Sequence, residues 1–175
     1  MMLVNRCLYV KLMLTVPALT FATDYFVSPA GSDTQTGLAI DKPLATIQRA
    51  IDNAGPGDTI HLAHGTYRQD LISKRAGTAS QPIRIEGGQL AIIRGAGKGR
   101  IIQINHSYIH LKGFTVDGLH GDARSKSGYR DKLIFIQSPQ ANIPIKGISL
   151  SGLHLRNAGG ECLRLRYLVQ YSEIA

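Results

Sequence analysis

From Tyr25 onward, apolar residues recur in short triplets in which two apolar side chains flank a third residue of any kind. The pairs are Ile60/Leu62, Ile83/Ile85, Ile102/Ile104, Ile109/Leu111, Phe114/Val116, Ile134/Ile136, Ile148/Leu150, Leu153/Leu155 and Leu163/Leu165. A period of two sends successive side chains to opposite faces of a strand, so each triplet predicts a strand with one buried face. Glycine-rich or polar bends separate the triplets. Such a succession predicts either a sandwich or a solenoid, and repeat spacing separates the two.

Residues 110–116 align without gaps on residues 149–155, with glycine at the fourth place of both (Gly113, Gly152). Residues 168–174 read as a further copy of the same segment. Ile93-Arg94-Gly95 and Val116-Asp117-Gly118 read as one place in successive coils. The intervals from Ile93 to Val116 and from Leu155 to Ile174, and the interval from Val116 to Leu155 once its insertions are allowed for, suit the coils of a β-solenoid. Each strand then pairs in parallel with its copy one coil later and stacks its inward residues into an apolar ladder. That geometry predicts His110, Lys112, Thr115, Arg164 and Arg166 on the outside. Residues 120–132 and 138–144 break the rhythm and read as loops leaving the coil corners, where solenoids carry insertions.

One segment has a helical period instead. Over 44–54, Leu44, Ile47, Ala50, Ile51 and Ala54 fall on one helix face, with Pro43 placed for the first turn and Gly55 for the end. A solenoid exposes an apolar cross-section and unpaired strand edges at its first coil, and this amphipathic helix is placed to cap them.

The start of the chain has another character. Arg6 and Lys11 precede an apolar run over 12–21 that is too short to span a bilayer, and Thr20 and Ala22 supply small residues for cleavage. Residues 1–22 are therefore expected to be an export signal and 23–175 the mature cap and first coils. The protein is then expected outside the cytoplasm: secreted, periplasmic or on the cell surface. Removing the signal lowers the formal charge from +8 to +6, which still favours an anionic partner. No aromatic-basic pattern for nucleic acid is present, so the expected anionic partner is an acidic polysaccharide bearing uronates or a phosphate-rich envelope, which charge alone does not separate. Cys7 leaves with the signal; Cys162 heads an alternating run and is expected in the core.

Six stretches carry a family resemblance. They are residues 25–33 (YFVSPAGSD), 42–50 (KPLATIQRA) with 56–60 (PGDTI) and 65–67 (GTY), 77–85 (GTASQPIRI), and 113–118 (GFTVDG). Together they resemble the opening of pectate-lyase-like right-handed parallel β-helix proteins, including family 9 polysaccharide lyases. The resemblance implies an all-β, right-handed parallel β-helix. It also implies β-elimination on uronate polymers, with Ca2+ held by clustered aspartates against the substrate carboxylate and a Lys or Arg taking the adjacent proton. The alternative is a non-catalytic glycan-binding or structural β-helix, since such a fold hosts many functions. No compact run of aspartates is visible in the sequence. In such proteins the calcium ligands and base lie on later coils, and this sequence stops one residue after an inward Ile174. It therefore reads as a fragment, a truncated product or a chain that needs a partner.

Lys112, Arg164 and Arg166 are the candidate catalytic cations, each also readable as solvated surface charge. Asp117, His120, Glu161 and Tyr129 are the candidate substrate contacts. Asp117 and Asp122 are the candidate Ca2+ ligands, although Asp117-Gly118 also reads as a turn pair. Tyr67, Tyr108, Tyr129 and Tyr167 are candidate platforms for sugar rings. The six histidines show no zinc-like spacing.

Overall fold

The computed structural model describes residues 21–140, 142–170 and 172–175; the expected export signal lies outside them except for its last two residues. The alternating triplets fold as parallel strands in three stacked sheets and one short strand pair. The first sheet contains β1 (Asp24–Val27), β2 (Thr59–Leu62), β5 (Ile83–Gly87), β8 (Ile109–Lys112), β12 (Ser149–Ser151) and β16 (Glu173–Ile174). The second contains β3 (Gly65–Tyr67), β6 (Ala91–Ile93), β9 (Thr115–Asp117) and β13 (His154–Arg156). The third contains β4 (Leu71–Ile72), β7 (Arg100–Ile104), β10 (Arg130–Gln137) and β14 (Ala158–Arg166). The strands β11 (Ile145–Lys146) and β15 (Val169–Gln170) pair at the corner leading back to the first sheet.

The chain visits the three sheets in turn, so each coil lies one strand spacing beyond the last. In register, Ile60, Ile85, Leu111, Leu150 and Ile174 form one inward ladder. Tyr67, Ile93, Val116 and Leu155 form the second, and Leu71, Ile102, Ile134 and Leu163 the third. These ladders converge on one apolar core. Branched side chains stacked this way bury both flanks of each residue against its copies, about 1.5–3 kcal/mol per fully buried side chain. Leu111 pairs with Leu150, as the alignment of 110–116 on 149–155 predicts. The copy over 168–174 is displaced: the gapless alignment sets Ile174 opposite Leu155, but Ile174 pairs with Leu150.

Gly113 and Gly152 hold the corner between the first and second sheets, with left-handed φ of +82° and +58°. A Cβ at 113 would collide with the Gly87 carbonyl oxygen one coil below, so the tight corner demands glycine.

The helix α1 (Ile47–Asn53) occupies the first coil and buries Ile47, Ala50 and Ile51. It begins at Ile47 rather than at Leu44, where the periodicity starts. Leu44 instead bridges to Val27, and its amide donates to the Phe26 carbonyl, so 43–45 run as extended chain. Thr46 is the N-cap, Asp33 accepts from the Ala45 and Thr46 amides, and Gln69 Oε1 accepts from the Ile47 amide at 2.8 Å. These bonds satisfy donors that a helix start leaves open.

Two burial expectations and one loop boundary need correction. Thr115 is outward by alternation yet only 3% exposed, because its hydroxyl donates to the Gln89 carbonyl at 2.7 Å under the neighbouring turn. Cys162 is exposed rather than buried. Cys162 faces away from the inward Leu163 and Leu165 and lies on β14, which among the described residues is the edge strand of the third sheet and has a neighbouring strand on one side only. The polar loop is also shorter than 120–132. Leu119 and Tyr129 form an antiparallel bridge that closes it, and residues 130–132 belong to β10.

Candidate functional site

The outer face of the third sheet gathers most of the predicted cations. Ile72, Gln103, Phe135 and Arg164 stand in one row across β4, β7, β10 and β14, and Gln137 and Arg166 in the next. A further row at the strand starts holds Arg100, Lys132 and Glu161, two residues before the inward Ile102, Ile134 and Leu163; Arg100 and Lys132 reach the cleft beside this face, and Glu161 reaches Arg164. Phe135 points away from the core ladder, yet is 1% exposed. The Arg100 guanidinium covers it, 3.8 Å from the ring centroid, while its Nη1 donates to Gln103 Oε1 at 3.2 Å. The aromatic ring thus fixes a cation in the middle of the face.

Beside this row lies a cleft of about 300 Å3, into which Asp70, Lys98, Arg100, Gln103, Asp131 and Lys132 project. Its carboxylates are occupied. Asp70 accepts from the Ala96 and Lys98 amides, both at 3.0 Å, and so pins the glycine-rich turn over 95–99. Asp131 pairs with Lys132. One coil on, Glu161 accepts from Arg164 Nη1 at 2.6 Å, and Arg166 lies over the Tyr167 ring and donates to its hydroxyl at 2.7 Å. Five cations (Lys98, Arg100, Lys132, Arg164, Arg166) therefore share a face with three carboxylates, leaving a positive surplus.

The insertion over 119–129 stands at one edge of this face. Ser125 caps the 3-10 turn Lys126–Gly128, the Tyr129 hydroxyl donates to the Ala123 carbonyl at 2.6 Å, and the His120 amide donates to the Gly128 carbonyl at 2.8 Å. A Cβ at Gly128 would collide with the Asp122 carbonyl oxygen, so glycine lets the loop fold back on itself. A second cleft of about 300 Å3 lies between this loop (Arg124, Lys126, Tyr129) and Ala158–Gly159 at the start of β14. Of the candidate tyrosines, Tyr67 is buried with its hydroxyl on the Val27 and Ala63 carbonyls, so it offers no platform. Tyr108 packs where Gly147 leaves room; Tyr167 is exposed.

Asp117 is elsewhere in kind. It is 1% exposed at the corner between the second and third sheets. Its Oδ2 accepts from Arg94 Nη2 at 3.2 Å one coil below and from Arg156 Nη2 at 3.1 Å one coil above. Its Oδ1 accepts from Asn157 Nδ2 at 2.8 Å and from the Leu119 amide at 3.1 Å. Burial alone would raise this carboxyl, but Asn157, the Leu119 amide and Arg156 outweigh it and hold it below the ordinary carboxylate range. Asp122, on the exposed loop, is likewise lowered by the Arg124 amide and guanidinium. Both oxygens of Asp117 are thus engaged by donors of the chain, and Asp122 is paired with Arg124. These residues do not fit a calcium site, which needs several free oxygen ligands. Among the described residues, no three His, Cys, Asp or Glu side chains converge to hold a metal.

The candidate residues therefore fall in three places. Arg164, Arg166 and Glu161 stand on the third-sheet face, with Tyr129, His120 and Asp122 on the loop at its edge. Lys112 stands on the outer face of the first sheet, and Asp117 is buried in the corner. Arg94, Arg100, Lys132, Phe135, Arg156 and Asn157 were not anticipated. The signal for the buried ladder was present in Arg94-Gly95 and Asp117-Gly118 aligning one coil apart, since opposite charges at one register position can pair along the stack.

The Pel9A-like right-handed β-helix region matches residues 25–161. A pectate lyase, PEL9 of Emericella nidulans, is 45% identical over 78 residues, covering 42% of this chain and 19% of its own. The crystal structure of pectate lyase Pel9A superposes with a TM-score of 0.65 at 17% identity, over 90% of this chain and 39% of that one. A GH136 lacto-N-biosidase from Eubacterium ramulus gives a TM-score of 0.64 at 19% identity, over 79% and 28%. The chain thus spans about a fifth of the fungal relative and well under half of the solved chains, and the last two likenesses concern the fold. No described helix is long and apolar enough to cross a membrane. With coils, cap helix and corner glycines in place over the matched span, the chain belongs to the Pel9A-like right-handed β-helix family.

Proposed function

We propose that the chain is part of an exported polysaccharide-active protein whose third-sheet face receives an acidic glycan, for cleavage of a uronate polymer by β-elimination. The observation that carries this reading is the positive surplus of that face, centred on Arg100 held flat against Phe135. Guanidinium groups match carboxylates in a planar, bidentate fashion. Arg164 and Arg166 accordingly serve as groups that bind a uronate carboxylate and offset the charge developing on it, and the proton adjacent to that carboxylate would pass to a Lys or Arg as the base. A calcium ion would add Lewis-acid polarisation of that carboxylate; Asp117 and Asp122 are not arranged to hold it.

The second reading, a non-catalytic glycan-binding span, is favoured by the engagement of Asp117, which leaves the corner without a free carboxylate. One experiment separates the two. The purified chain is incubated with polygalacturonate and alginate, with and without calcium, following the ultraviolet absorbance of unsaturated uronides and, in parallel, binding. Unsaturated product supports the lyase. Binding without product supports the binding span, and neither binding nor product contradicts the acidic-glycan reading.

A further inference from the structure

The outer face of the first sheet is unused by this reading and differs from the third in kind. Ile60, Leu62, Ile85 and Leu111 point inward, so Asp24, His61, Arg84, Glu86, His110 and Lys112 stand outward on β1, β2, β5 and β8. His61 is fixed from two sides: its Nε2 lies 2.7 Å from Asp24 Oδ1, and its ring stacks on Phe26 at 5.2 Å. Glu86 lies between His61 and Lys112 in register, one strand spacing from each. Among the described residues, neither Glu86 nor Lys112 closes an ion pair, although register places them side by side. A trough of about 320 Å3 opens along them, lined by His61, Leu62, Glu86, Gly87, Lys112 and Gly113.

We propose that this trough is a second glycan site, and that it takes a neutral, hydroxyl-bearing sugar segment rather than an acidic one. Charge balance decides the class. Asp24 and Glu86 offset Arg84 and Lys112, so a polyanion meets repulsion as well as attraction along this face. A sugar hydroxyl both donates and accepts, and neighbouring hydroxyls can donate to Glu86 while accepting from Lys112. Hydrogen bonds to such charged groups are the stronger kind. The strands β2, β5 and β8 that carry the trough are each flanked on both sides by further strands of the first sheet.

The test uses the whole chain, 15N-labelled, titrated separately with neutral galacto-, xylo- and gluco-oligosaccharides and with oligogalacturonate. At least one neutral series is expected to shift amides of β2, β5 and β8. Glu86→Gln and Lys112→Met are each expected to weaken that binding by about tenfold while leaving oligogalacturonate affinity unchanged. Both side chains point outward, and retained amide dispersion verifies the fold of each variant. The proposal is overturned if no neutral series shifts these amides, if both variants bind as the parent does, or if oligogalacturonate displaces the neutral sugar.

Discussion

Arg156 grips Asp117 from one coil above, its Nε and Nη2 lying 3.2 and 3.1 Å from the same carboxylate oxygen. Arg94 meets that oxygen from the coil below, so a single buried anion ties three successive coils together. Removing Asp117 leaves Arg94 and Arg156 to water, since both are partly exposed, but takes away their charged hydrogen bonds and those from Asn157 and the Leu119 amide. Asp117→Ala is expected to lower unfolding free energy by about 1.5–3 kcal/mol, measured by urea denaturation. A loss below about 1 kcal/mol would show that the ladder behaves as an ordinary surface pair.

The same carboxyl makes stability depend on pH. Its folded pKa is lowered, so its stabilisation is fully present above the ordinary carboxylate value, about 4, and is lost as pH falls through the lower folded value. Unfolding midpoints taken from neutral pH downward should fall more steeply in the parent than in Asp117→Asn. Parallel curves would contradict the assignment.

Arg100 serves Phe135 as a lid. Arg100→Ala should expose the ring and weaken oligogalacturonate binding, and Arg100→Lys should recover only part of the affinity, because an ammonium lacks the planar stacking surface. Full recovery by lysine would reduce the role of Arg100 to charge alone. Titration calorimetry on the three proteins distinguishes these outcomes.

Gly118 lies against the coil above, where a Cβ would collide with the Asn157 carbonyl oxygen and stand 2.8 Å from Leu133 Cδ2. Gly118→Ala is therefore expected to cost about 1–3 kcal/mol in thermal or denaturant unfolding. Gly97, whose Cβ would meet nothing within 4 Å, has left-handed φ of +148°. Alanine there should cost stability through backbone conformation alone. Equal tolerance at both positions would contradict the close approach of the coils at Gly118.

The solenoid was legible because its signal is local and repeated. Ile-x-Ile triplets mark the inward ladders, and Gly113 and Gly152 align because one tight corner recurs in successive coils. What covers an outward residue was not legible, because alternation reports which side of a strand a residue faces and nothing about what lies beyond it. Thr115 is covered by the turn bearing Gln89, whereas Phe135 is covered by a side chain from the coil below. Cys162 shows the converse. Its register neighbour Leu133 is buried on β10, which lies between two strands, whereas Cys162 is on β14, the edge strand of the sheet among the described residues. The copy ending at Ile174 was misplaced by a gapless alignment because corner lengths vary between coils. The candidate site was legible in part: Arg164 and Arg166 share a face, but the periodicity could not show that Lys112 stands on a different sheet.

The central claim is that the third-sheet face holds an acidic glycan through its cations. It is tested most directly by measuring oligogalacturonate affinity for the parent and for Arg164→Ala/Arg166→Ala across ionic strength. The parent is expected to bind more weakly as salt rises. The double variant should lose about tenfold or more at low salt and show a flatter salt dependence. Unchanged affinity and an unchanged slope in the double variant would contradict the account.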